Sequence, residues 1–406
     1  MPIDAIGRGS GKGSMSGREA LVSALDHLGN PSSVHGEGRA VRALVESARR
    51  DIAALCGAQA AAVVFTSGAT EAANMVLTPE FRMGRTPLKA GKLYVSAIEH
   101  PAVREGGRFS RDNTCEIAVT SAGIIDCAAL ETQLQAHDRE TGLPMVAVML
   151  ANNETGVVQP IADVAAIVRM LANNETGVVQ PIADVAAIVR AHGGILVVDA
   201  VQAAGRLPLS IEALGADFLI LSSHKIGGPK GAGALVARGE IMMPSSLIRG
   251  GGQEKGHRSG TENAAALAGF AAAARAAAGD IDGRMAAVAA MRDSLEMKMR
   301  TSAPDVIIHG QSVSRLANTC FFTLPGLKAE TGQIAFDLEG VALSAGSACS
   351  SGKVGQSHVL TAMGYDPRQG ALRISIGEAT TQVEIERCAA IFAKVAARRP
   401  STGQAA

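Results

Sequence analysis

Two short segments carry the residue types from which a lysine-centred chemistry can be built. Lys225 lies in Ser222-Ser223-His224-Lys225-Ile226-Gly227-Gly228-Pro229-Lys230-Gly231, at the end of an apolar run, and Asp199-Ala200-Val201-Gln202 ends the apolar run before it. A lysine that forms a Schiff base needs a place where its amine can shed a proton, and pyridoxal phosphate (PLP) sites add a carboxylate that holds the pyridinium nitrogen. An ion pair at ~4 Å and an effective dielectric near 20 is worth about 4 kcal/mol, or about three pKa units. That suffices to keep a ring nitrogen protonated at neutral pH, so the ring can draw electrons. Taken singly, Lys225 reads as a surface loop lysine and Asp199 as a helix cap. At the ends of two successive apolar runs, they read together as a cofactor site.

The elements that must position these residues follow from the pattern. Apolar, β-rich runs at 62–66, 92–97, 116–120, 145–150, 195–199 and 218–222 alternate with helical patterns, the mark of a mostly parallel sheet covered on both faces. Ligands of such sheets gather at the carboxyl ends of the strands, where Asp199 and residues 222–225 fall. Phe65-Thr66-Ser67-Gly68-Ala69-Thr70-Glu71 places a glycine turn between a strand and a helix starting near Ala69, whose free N–H groups suit a phosphate; a capped turn is the rival reading. After Asn263 the pattern turns to an Ala-rich helix over 264–278, a second over 284–300, then short strands and helices to about 397. The expected organisation is an atypical tail (1–16), a large cofactor-binding domain (17–262), a smaller α+β domain (263–398) and a second tail (399–406).

With 406 residues, 47% of them hydrophobic, the chain can bury more than one ordinary core. Lys+Arg and Asp+Glu both number 38, so no global field steers it to nucleic acid or an anionic membrane. Small molecules and other proteins are the expected partners, and the cytoplasm the expected location, since the opening lacks a signal-peptide pattern and no run has membrane-spanning length. The six cysteines form no CxxC pair, against a zinc or disulfide framework. Cys56, Cys115, Cys127, Cys320 and Cys388 sit among apolar or helical neighbours as inert thiols, whereas Cys349 sits in the polar, glycine-containing stretch 344–352. Gly7-Arg8-Gly9-Ser10-Gly11-Lys12-Gly13-Ser14 mimics a phosphate loop but is one residue short, has Gly13 after the lysine, and follows no strand.

Residues 149–169 and 170–190 are the same 21 residues in tandem, MLANNETGVVQPIADVAAIVR. Two identical units are too few to stack a repeat core, so one copy is surplus. The strand over 145–150 leads into the first copy's Asn152-Asn153-Glu154-Thr155-Gly156, whereas the second copy would bring Arg169 into a buried layer. The second copy's helix leads through Gly193-Gly194 into the run 195–199. The expectation is a strand and loop from the first copy, a helix from the second, and a surface excursion between them; Asn174 is the rival of Asn153 for the same role.

The chain resembles the cysteine desulfurases of the NifS/IscS type, PLP enzymes of fold type I related to class V aminotransferases. The resemblance rests on Asn30-Pro31-Ser32-Ser33-Val34-His35, the turn 66–74, Glu99-His100-Pro101, the loop 152–156, Asp199-x-x-Gln202, residues 222–231, Gly250-Gly251-Gly252-Gln253-Glu254-x-Gly256-x-Arg258-Ser259-Gly260-Thr261, Ser344-Ala345-Gly346-Ser347-Ala348-Cys349 and Leu372-Arg373-Ile374-Ser375, in the family's order. It implies that Lys225 carries the cofactor as a Schiff base, Asp199 pairs with the pyridine nitrogen, and His100 stacks on the ring and exchanges a proton with the thiol. Asn153 and Gln202 would bond the phenolic oxygen, with Ala69, Thr70, Ser222 and His224 on the phosphate. Thr261 would reach the phosphate of a second subunit, making a homodimer. Cys349 is then the nucleophile that takes sulfur from L-cysteine, leaving a persulfide and alanine, and Arg373 holds the substrate carboxylate, a structural salt bridge being its rival role. The expected acceptor is an iron–sulfur scaffold protein, with which Cys349 could share a 2Fe–2S cluster ligand in passing; no intrinsic metal is expected. Upstream of about Ser16 the family's Leu-Asp-x-Asn-Ala-Thr-like segment is missing. Another PLP enzyme of the same fold, or a non-catalytic PLP-binding relative, are the alternatives.

Overall fold

The computed structural model describes residues 16–150, 182–345 and 357–399, with the backbone of three short strands between 156 and 180. The first copy's loop with Asn153, the rival Asn174, the thiol Cys349 and the glycine-rich segment 7–14 lie outside the described residues.

In chain order the strands are β1 (Val63–Thr66), β2 (Glu80–Met83), β3 (Thr86–Ser96), β4 (Thr114–Ile117), β5 (Leu143–Met149), β6 (Gly156–Val157), β7 (Leu171–Ala172), β8 (Gly177–Gln180), β9 (Ile195–Asp199), β10 (Phe218–Ser222), β11 (Gly233–Ala237) and β12 (Met242–Pro244). A second region adds β13 (Ile307–Ile308), β14 (Thr319–Thr323), β15 (Ser344–Ala345) and β16 (Leu372–Ser375). The large sheet runs β1-β11-β10-β9-β5-β3-β2-β12, with β4 beside β3. Its centre, from β10 through β9, β5 and β3 to β4, is parallel. β11, β2 and β12 are antiparallel insertions.

Side chains on β5 and β9 alternate between two apolar layers. Val146, Val148, Leu196 and Val198 enter one cluster, and Met145, Ala147, Ile195 and Val197 the other. A sheet buried on both faces therefore reads as continuous apolar runs, as the sequence did. All six expected strands are present. The three that escaped notice are short and antiparallel: β2 buries only Phe81, and β11 begins in the glycine-rich stretch after Lys225.

The helix Ile182–Ala191 presents Ile182, Val185, Ala186 and Val189 to the first cluster, the spacing of one helical face. It comes from the second repeat copy and leads into β9, whereas Met149 of the first copy ends β5 and pairs with Asp199. The strand thus runs into the first copy and the helix comes from the second, as expected. Between them lies a separate small sheet, β6-β8-β7. Because the copies are identical, removing either gives the same chain, and that chain is expected to keep or raise both its urea midpoint and its alanine-forming activity. A large loss of folded protein would show that the excursion is structural.

Helix Ala264–Ala278, capped by Asn263 accepting from the Ala266 N–H at 3.1 Å, buries Ala266, Leu267, Phe270, Ala271 and Ala274 in the first cluster. It crosses helix Gly17–Ala24 where a Cβ at Gly269 would stand 2.7 Å from the Gly17 carbonyl oxygen. The next helix, Ile281–Ser302, belongs to a separate core with Ala329–Leu338, Gln382–Arg398 and the antiparallel sheet β13-β14-β16-β15. The change of core therefore falls at the bend before Ile281, one helix later than the change of pattern after Asn263.

Candidate active site

Thr66, Met149, Asp199 and Ser222 end β1, β5, β9 and β10 on one edge of the large sheet. The register aligns them: Asp199 pairs with Met149 and with Ile220, and Gly233 pairs with both Thr66 and Ser222. Just beyond the end of β3, Glu99 and His100 join the same edge. Gly233 must be glycine, because a Cβ there would stand 2.6 Å from the Gly68 backbone.

Asp199 is buried, and its Oδ1 accepts the Val201 N–H at 2.9 Å. Burial raises its pKa to about 6, against the opposing pulls of that N–H and of the Lys225 charge. The buried carboxylate thus lies within electrostatic reach of the Lys225 charge. His100 is driven the other way, to about 4, by burial first and then by Lys225 and His358. Its Nδ1 accepts the Ala102 N–H at 3.1 Å, which caps the turn Pro101–Arg104. The neutral ring thus carries its hydrogen on Nε2, set to give a hydrogen bond rather than to take a proton. For His100 to deprotonate a thiol, the cap to Ala102 must first open.

Glu99 is fully buried: Oε1 accepts the Met149 N–H at 2.8 Å, Oε2 has no hydrogen-bond partner among the described residues, and burial holds its pKa well above its usual value. Its carbonyl oxygen is bonded by His358 Nε2 at 2.9 Å. Ser222 Oγ and His224 Nδ1 are 2.9 Å apart. Ala69 and Thr70 open the helix Ala69–Val76, whose N-terminal Gly68 supplies no side-chain cap and has nothing among the described residues within 4 Å of where a Cβ would be. Ser67 N–H bonds Glu71 Oε2 at 2.8 Å, and Glu71 is gripped by Arg258 at 2.8 Å. Burial alone would raise the Glu71 carboxyl, but Arg258 and Ser67 bring it below its usual value.

The segment bearing Arg258 and Thr261 is held from below. Glu254 has φ 47° and Lys255 φ 56°, left-handed conformations costly for non-glycine residues. The buried Glu254 carboxylate pays for this by bonding Arg49 at 2.6 and 2.7 Å and the Phe65 N–H at 2.8 Å. Breaking such a buried pair costs about 3–5 kcal/mol. Thr261 itself is exposed, at the edge of a cavity of about 200 Å³ shared with Thr66, Ser67, Gly231 and Arg258.

Arg373, on β16, reaches Ser344 Oγ at 3.0 Å through Nη2, and its buried Nε has no hydrogen-bond partner among the described residues. Gln202 is buried, with its carbonyl oxygen 2.7 Å from Arg206 Nη1. Arg206 Nη2 also bonds the Lys225 carbonyl oxygen at 3.0 Å. Neither Arg206 nor Arg49 was singled out in the sequence; the only cue to Arg206 was a cation inside the small-residue turn Ala203-Ala204-Gly205. Among the described residues no His, Cys, Asp and Glu group could hold a metal ion. Burial pushes the Cys56 and Cys388 thiols up to about 12 and Cys127 to about 11, and holds Cys320 well above the usual thiol range.

These residues fit PLP: a lysine within electrostatic reach of a buried carboxylate, a helix start without a side-chain cap, and an arginine Nε with no partner among the described residues. The aminotransferase class-V family profile matches residues 19–172 and 167–388, its two segments overlapping inside the tandem repeat. A cysteine desulfurase of Frankia sp. is 37% identical over 399 residues, covering 93% of this chain and 87% of the relative. An IscS-like cysteine desulfurase of Mycobacterium tuberculosis is 31% identical, covering 94% and 92%. The crystal structure of a NifS-like protein from Rickettsia africae superposes with a TM-score of 0.77 at 31% identity, covering 94% and 97%. The chain belongs to the aminotransferase class-V family, of PLP fold type I. Within that family it groups with the PLP-dependent cysteine desulfurases of the NifS/IscS type.

Proposed function

We propose that this chain removes sulfur from L-cysteine, releasing L-alanine and leaving a persulfide on Cys349. The observation that carries the reading is the convergence of the buried Asp199, of Lys225 and of His100 at the carboxyl ends of β9, β10 and β3, with the Arg373 Nε lacking a hydrogen-bond partner among the described residues. Bound PLP would supply the electron sink that weakens the substrate's bonds. Lys225 would hold it and move the proton at the substrate carbon, and Asp199 would keep its ring nitrogen protonated. His100 would stack on the ring and donate a hydrogen bond through Nε2. Ala69, Thr70, Ser222 and His224 would bind the phosphate, and Gln202 with Asn153 the phenolic oxygen. Arg373 would take the substrate carboxylate through its planar fork.

The Cys349 thiolate would attack the substrate sulfur: an S–S bond forms, the C–S bond breaks, and the electron pair left on carbon takes up a proton to give alanine. Thr261, exposed beside its own Ser67, would complete the site of a second copy in a homodimer. Support for passing the sulfur to an iron–sulfur scaffold comes from the IscS-like relatives. Substitution Cys349→Ala tests the nucleophile: PLP absorbance is retained while alanine release from L-cysteine falls to background. Turnover surviving that substitution would favour a different PLP chemistry on the same fold.

A further inference from the structure

We propose that Arg206 is a positioning residue that locks the Gln202 amide and the Lys225 main chain in register with each other. The inference rests on the reading of Lys225 and Gln202 as PLP contacts. These two residues sit on separate segments, one after β9 and the other after β10, and no strand pairing extends that far. Arg206 joins them. Its Nη1 bonds the Gln202 carbonyl oxygen at 2.7 Å and faces Gln202 Oε1 at 3.5 Å, while Nη2 bonds the Lys225 carbonyl oxygen at 3.0 Å.

Two consequences follow from the donor inventory. A guanidinium has only donors, so the amide atom turned toward it is the acceptor Oε1. The Nε2 hydrogens of Gln202 are then left to donate elsewhere, which is what a phenolate oxygen on the cofactor requires. A planar fork also spans two carbonyls in a way a lysine ammonium cannot. Arg206 is only 9% exposed, with burial lowering its pKa to about 10; the Glu378 carboxylate favours its charge and Arg373 opposes it. Its place is set by the preceding Gly205, at φ 72°, where a Cβ would stand 2.7 Å from Ala277 Cβ.

The test compares wild-type protein with Arg206→Lys, Arg206→Gln, Gln202→Ala and the double variant Arg206→Lys/Gln202→Ala. Each is stripped of cofactor and retitrated with PLP, followed by the visible circular dichroism of the bound cofactor. Arg206→Lys, which keeps the charge and loses the fork, is expected to bind PLP at least tenfold more weakly, with a diminished visible band and unchanged far-ultraviolet spectrum. Its penalty should be at least threefold smaller in the Gln202→Ala background, which removes the amide, the remainder belonging to the two main-chain carbonyls that both variants keep. Arg206→Gln is expected to lose at least as much affinity as Arg206→Lys; should it fail to fold, the lysine variant decides alone. Wild-type-like affinity and visible dichroism in Arg206→Lys, or penalties that add fully in the double variant, would overturn the positioning role while leaving PLP binding intact. A wild-type protein that binds no PLP would overturn the underlying reading, and this one with it.

Discussion

Replacing Lys225 by alanine is expected to lower alanine release from L-cysteine by about 10,000-fold or more. A positioned proton-transfer group contributes about 10²–10⁴-fold, and this residue also holds the cofactor. The backbone should tolerate the change. Ser222 to Gly228 is fixed by the pairing of β10 with β11, by the Gly228 N–H bonding the Ser223 carbonyl oxygen at 3.0 Å, and by Arg206 on the residue 225 carbonyl. None of these uses the lysine side chain. The variant should therefore melt close to wild type when both are cofactor-free. Equal activity in wild type and Lys225→Ala, assayed as alanine formed, would remove the lysine from the chemistry.

Asp199→Asn should lower turnover by about 1,000-fold, the kinetic equivalent of the ~4 kcal/mol ion pair it removes. It should also remove a pH dependence. Burial raises the Asp199 carboxyl to about 6, above its ordinary value, so the folded chain binds this proton more tightly than the unfolded chain does. In the cofactor-free protein the group therefore stabilises the fold at low pH, and that contribution is lost as pH rises from about 4 through 6. PLP binding has the opposite sign, because only the ionised carboxylate attracts a protonated ring nitrogen. Wild-type affinity should weaken as pH falls through about 6, and Asp199→Asn should be weak throughout with no such inflection. Titrations at a series of pH values check both statements, and parallel curves for the two proteins would contradict them.

The sequence made this edge of the sheet legible because its geometry is local. Asp199 and Lys225 each follow a run that is apolar on both faces, and such runs leave little choice but adjacent parallel strands with their ends together. The same holds for the helix Ile182–Ala191, whose direct lead through Gly193-Gly194 into β9 identified the repeat copy it comes from. What escaped was non-local. Arg206 reaches the carbonyl of Lys225 at a separation of 19 residues, and Glu254 in a left-handed turn reaches Arg49 at a separation of 205. Nothing in the spacing of an arginine says which distant carbonyl or carboxylate it will meet. The proton arrangement of His100 was equally hidden, because it depends on the Ala102 N–H claiming Nδ1.

The central claim is that residue 225 is the amine to which PLP is attached. Borohydride reduction of the purified protein, followed by proteolysis and mass mapping, tests it directly. The account predicts one stable pyridoxyl modification, on the peptide containing Lys225; an unmodified Lys225, or the label on a different lysine, would contradict it.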